Sequence, residues 1–138
     1  MIHAIMITFL GMLSFYDFRE RRLPICVVVG FFVCGGVTAL LGTKLLYVDM
    51  LVGLAIGLLI ILISCFTRGQ IGMGDGLMFM AIGVSVGGKV GMTILMLSLL
   101  LVCVVAIALL VTRQIKKGDR LPFAPFVLCA YIGQLLLG

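Results

Sequence analysis

Apolar residues do not alternate with polar ones along this chain; they run on. Six stretches, roughly residues 1–16, 23–43, 47–66, 71–88, 89–112 and 122–138, are filled with Leu, Ile, Val, Met, Phe, Ala and Gly. Runs of this length and purity read as membrane-spanning helices, since a helix on the surface of a soluble domain needs an apolar stripe along one side only. At ~1.5 Å per residue the shortest come to about 24–27 Å, against a hydrocarbon core of about 30 Å. They fit nearly upright or in a locally thinned bilayer. The fourth is the weakest, because GLMFMAIGVSVGG is short unless the preceding IGMG is counted with it. The predicted fold class is all-α: a polytopic membrane protein with six transmembrane helices, forming one domain over residues 1–138.

Charge supplies direction. Only 11% of the 138 residues are charged, while 64% are hydrophobic; a water-soluble domain carries about a quarter charged residues. The connections after the first, third and fifth stretches hold Arg19, Arg21, Arg22, Arg68, Arg113, Lys116, Lys117 and Arg120, and the other two hold Lys44 and Lys89. By the positive-inside rule the first set faces the cytoplasm and both termini lie outside. A fourth stretch that dipped in and returned would carry Arg113 to Arg120 outward, so it is expected to cross. The net charge of +5 is explained by basic loops against anionic membrane lipids and calls for no nucleic acid. The N-terminal run has its arginines after the apolar residues, not before them, so it is expected to stay as a span and not be cleaved as a signal. Cys26, Cys34, Cys65, Cys103 and Cys129 form no C-x-x-C pair, and His3 is distant in sequence from all of them. The expectation is small packing residues, with no metal and no cofactor. Glycines four apart, Gly53 with Gly57 and Gly83 with Gly87, permit close helix packing.

Five acids remain. Asp49, at the start of the third stretch, suits a helix N-terminus. Glu20 sits among arginines in RERR, and Asp119 in KKGDRLP suits a turn or cap. Asp17 and Asp75 are different. About 16 apolar residues carry the chain across to Asp17, and Asp75 opens the main apolar run of the fourth stretch from the same side. The two carboxylates are therefore expected at one membrane level on different helices. A charge within a membrane helix costs about 2.5–3.5 kcal/mol on insertion scales, so a retained one marks function or pairing. The plain alternative pairs Asp17 with Arg19 or Arg21 and leaves Asp75 as a helix cap. Gly72, Gly74 and Gly76 surround Asp75 in RGQIGMGDGLM. They leave backbone open to an approaching extended peptide and weaken the helix by about 1 kcal/mol each.

GMGDG, with YDFRERRLP upstream and LPFAPF downstream, resembles the type IV prepilin peptidases, membrane aspartyl proteases of the GxGD type. The resemblance runs over essentially the whole chain. It makes Asp17, followed by Arg19, Arg21, Arg22 and Pro24, the first catalytic aspartate. It places the GxGD motif on Gly72, Met73, Gly74 and Asp75, with Asp75 the second. It matches Pro122, Phe123, Ala124, Pro125 and Phe126 to the element opening the family's last helix, and assigns Pro122, Phe123 and Pro125, with the three glycines, to substrate binding or backbone support. Leu77 stands where the family often has lysine, and Ile25 where it often has asparagine. The paired C-x-x-C region that many bacterial members carry is missing from this sequence, so no methyltransferase activity is expected.

The resemblance implies removal of a short basic leader from prepilin or pseudopilin substrates, at the cytoplasmic face of the inner membrane, with neither metal nor cofactor. Oligomeric state is not given by the sequence. Two carboxylates close together share a proton more readily than they carry two charges, which suits acid–base hydrolysis of a peptide bond. Two other readings are compatible with isolated membrane acids. A signal-peptide-peptidase-like protease shares Tyr16-Asp17 and GxGD, and a small proton-coupled transporter or channel could use the same acids.

Overall fold

The computed structural model describes residues 2–20, 24–41, 47–68, 72–114, 116 and 121–138. Arg21, Arg22, Lys44, Lys117, Asp119 and Arg120, which bear on the orientation and cap readings above, lie outside the described residues. The described chain is all-helical: α1 Ile2–Glu20, α2 Ile25–Leu41, α3 Tyr47–Phe66, α4 Met73–Val86, α5 Gly88–Val111 and α6 Ala124–Leu137. Five of these follow the apolar stretches to within two residues at each end. The exception is α1, which runs on through Asp17 to Glu20. Nothing in Phe18-Arg19-Glu20 stops it: Arg and Glu are good helix formers, and Arg19 in the last turn favours the negative end of the helix dipole. Asp17 thus sits inside the helix. Among the described residues two helices, α3 and α5, are long and apolar enough to cross a membrane by length and composition.

The helix ends have local causes. Pro24 precedes α2 and its carbonyl accepts the N–H groups of Val27 and Val28 at 3.0 and 3.2 Å, a role that needs no N–H of its own. Both α3 and α5 finish in Thr-Arg. Thr67 Oγ1 donates to Ile63 O at 2.8 Å and Thr112 Oγ1 to Ala108 O at 2.9 Å. Arg68 and Arg113 then turn into the left-handed region at φ 54° and 55°, closing each helix as a C-terminal cap does. Between α4 and α5 there is a single residue, Gly87, at φ 92°. That angle is open to glycine and strained for other residues.

Helix α4 is the hub, packed against α2, α3 and α5, while α6 packs against α1 and α5. The α3–α4 contact is antiparallel and brings the two backbones close together. A Cβ placed on Gly53 would run into Gly83, one on Gly57 into Met80, and one on Gly76 into Ile61. Gly91 of α5 approaches Gly83 as well, so three glycines meet where α3, α4 and α5 cross. Small residues allow such approach, and dispersion between backbones then holds the helices. Of the two four-residue spacings noted above, Gly53 and Gly57 share one packing face; Gly83 packs, while Gly87 breaks the helix.

The α1–α6 contact is built from side chains. Met6, Leu10, Leu13 and Asp17 are all buried on α1, at the i, i+4, i+7, i+11 spacing of one helical face. They meet a core that includes Phe31, Phe79, Ile82, Val127 and Tyr131. Near the N-terminal end of α1, His3 Nδ1 and Tyr131 Oη are hydrogen-bonded at 2.9 Å. Outward faces are apolar, for example Val33 and Leu40 on α2 or Leu100 and Val104 on α5. The cysteines are free thiols; Cys26, Cys65, Cys103 and Cys129 are exposed on those outward faces and do not pack in the core.

Candidate active site

Asp17 and Asp75 come from helices that share little direct contact, yet they converge. Asp17 is the last member of the buried α1 stripe and is only 8% exposed. Its Oδ2 accepts the backbone N–H of Ala124, the first residue of α6, at 2.9 Å. The bond comes from the backbone of another helix and not from Arg19, which is exposed. A carboxylate at a helix start is favoured by the free N–H groups there and by the positive end of the dipole.

Asp75 is the third residue of α4, half-buried, in a first turn whose N-cap is Gly72. No side-chain hydrogen bond caps that turn. The carboxylate leans back over Gly72, where an added Cβ would lie 3.1 Å from Asp75 Oδ2. Asp17 and Asp75 are near enough for the charge of one to act on the other.

The glycines around Asp75 have different surroundings. Gly72 is exposed and bordered by the carboxylate, which suits an open approach. Gly74 is half-buried. Gly76 is buried against α3, with Ile61 and Gly57 O in the space a Cβ would take. Its lack of a side chain lets α4 seat on α3 directly beneath Asp75. Pro122, Phe123 and Pro125 are half-buried at the start of α6. The Phe123 ring lies 5.9 Å from that of Phe79, one turn along α4 from Asp75. Two contacts were not visible in the sequence: the Ala124 N–H bond to Asp17 and the tilted ring contact of Phe79 with Phe123. The only hint was that Ala124 falls between two prolines. Asp49 lies in the first turn of α3, where a carboxylate favours the dipole. Among the described residues no cluster of His, Cys, Asp or Glu could hold a metal ion.

Apolar outward faces and two acids brought together at one end of a helical bundle are features of helical membrane proteins that do chemistry at a membrane boundary. The chain belongs to the type IV leader peptidase family, whose model matches residues 4–111. Family and apolar helices together are consistent with a membrane protein. The match includes both aspartates and ends before α6. Comparison with curated proteins found no match. Comparison with solved structures found none either.

Proposed function

We propose that this peptidase-family protein is a membrane-embedded aspartic endopeptidase with six crossing helices and both termini outside, its site at the cytoplasmic face of the inner membrane. Its substrates are prepilin-like or pseudopilin chains, from which it removes a short basic leader just before the apolar helix. The observation that carries the reading is the pair Asp17 and Asp75, electrostatically in reach of each other and both inside the family match.

The chemistry follows from two carboxylates and one proton between them. The ionised member takes a proton from a water, and that water attacks the peptide carbonyl while the protonated member gives its proton to the carbonyl oxygen. The proton taken from water then passes to the leaving amine as the C–N bond breaks, and a hydroxyl of the tetrahedral intermediate returns a proton to the other carboxylate. The substrate's own apolar helix, lying in the bilayer, would bring its junction with the leader to the level of the pair. Exposed Gly72 leaves the near side of Asp75 open to an extended peptide. Exposed Arg19 at the end of α1 is placed to meet lipid phosphates at that boundary.

The test is cleavage by the purified protein in lipid vesicles. A prepilin-type substrate with a basic leader, glycine and an apolar helix is added, and the product's new N-terminus is sequenced. Asp17→Asn and Asp75→Asn should each lower kcat by about a thousandfold or more while the protein still inserts. Cleavage by both single variants at the wild-type rate would refute the dyad. Flux of ions or solutes without peptide hydrolysis would point to a transporter.

A further inference from the structure

The start of α6 is joined to both aspartate-bearing helices at once. Ala124, wholly buried, donates its N–H to Asp17 on α1. Its neighbour Phe123 packs its ring against that of Phe79 on α4, the two planes tilted by 50°. Two adjacent residues therefore span the gap between α1 and α4, which is the gap the two carboxylates must hold constant.

The donors that follow are withheld. Pro125 has no N–H, and the N–H of Phe126 goes to Phe123 O at 3.1 Å. The opening turn of α6 thus gives Asp17 one bond where an ordinary helix start would have several free N–H groups to offer. A carboxylate held by one charge-assisted bond is oriented. One gripped by several N–H groups would have fewer lone pairs left for a water.

We infer that Phe123, Ala124 and Pro125 are positioning residues for the Asp17–Asp75 pair, acting through Asp17 and Phe79 and not through contact with substrate. This inference rests on the peptidase reading above. It assigns α6, which the family match does not reach, to the geometry of the chemical step. Reactions between aligned groups lose about a hundredfold for a displacement near 1 Å, so small shifts at this junction are expected to be felt in kcat.

Two measurements on the full chain in lipid test this. In the first, Phe123→Ala should lower kcat by about tenfold or more with KM within about twofold, and Phe123→Tyr, which keeps the ring, should restore most of it. A rise in KM with kcat unchanged would make Phe123 a substrate contact and overturn the inference. In the second, amide hydrogen exchange is followed residue by residue along α6. Asp17→Ala should expose the Ala124 N–H while Val127 to Tyr131 stay protected; Asp17→Asn, which keeps an acceptor oxygen, should leave Ala124 protected. Unchanged protection of Ala124 in Asp17→Ala would overturn the inference even if the enzyme is active. A wild-type protein that cleaves no leader would instead sink the peptidase reading, and the exchange comparison would still decide whether α6 holds Asp17.

Discussion

The two aspartates are carried by halves of the molecule that hold together in opposite ways. Asp75 rides on α4, which is seated closely on α3 through Gly53, Gly57, Gly76 and Gly83, with backbone directly on backbone where Gly53 meets Gly83. Asp17 rides on α1, which meets α6 through a buried side-chain stripe and two hydrogen bonds, one at Ala124 and one at Tyr131. The Gly53–Gly83 contact has no room to give, because nothing flexible lies between the backbones, while Gly57 and Gly76 meet both backbone and side-chain atoms of Met80 and Ile61. Side-chain contacts can adjust by rotamer. The α3–α4 half is built as a fixed platform, and the α1–α6 half as an adjustable arm whose register is set by polar bonds.

That contrast can be broken most severely at the glycine crossing. Gly83→Leu would force a side chain into the backbone of Gly53, and overpacking of this kind costs about 1–3 kcal/mol or more. Unfolding measured in lipid-like detergent should show it, with activity lost alongside stability. Gly76→Ala should act similarly but less, near the lower end of that range, because the Ile61 side chain can move where a backbone cannot. On the arm, Tyr131→Phe removes the bond to His3 and should cost about 0.6 kcal/mol, as interhelical bonds in membranes do. A cycle with His3→Ala should recover that value as the coupling. A cost above that of Gly76→Ala would invert the proposed division.

Gly72→Ala sharpens the same comparison at the smallest energy. Its backbone angles, φ −65° and ψ 130°, suit any residue, so stability should move by less than about 0.5 kcal/mol. The new methyl group would nevertheless crowd Asp75 Oδ2, and kcat should fall severalfold. Gly72 and Gly76, two positions on either side of Asp75, are thereby expected to separate: activity responds at the first, stability and activity at the second. Equal stability losses at both would show that Gly72 also packs.

Much of this was legible in the chain itself. Five of the six helices follow the apolar stretches closely, and Pro24, the Thr-Arg endings and the Gly87-Gly88 pair punctuate them locally. The five acids were few enough to weigh singly, and Asp17 and Asp75 stood out as the two that open or close an apolar run from one side. The motifs around them carried the family, which the comparison then established. In sequence the glycines near Asp75 form one group, yet Gly72 borders the carboxylate and Gly76 packs on α3. Gly72 is the N-cap, just outside the helix, and Gly76 lies inside it four residues on; local sequence does not say which of the two meets a neighbour.

What the sequence determined by itself is therefore the number and extent of the helices, their apolar nature and the identity of the acids. Each depends on composition and on short-range signals within a turn or two. The tertiary structure alone decided which face of each helix is buried, that Asp17 takes its hydrogen bond from Ala124 more than a hundred residues away, and that Phe123 bridges to Phe79. The reason is physical: these helices are apolar on nearly every side, so hydrophobic periodicity does not mark an inner face. The faces are chosen by close fit between backbones and by a few polar bonds, and both form only when distant segments meet.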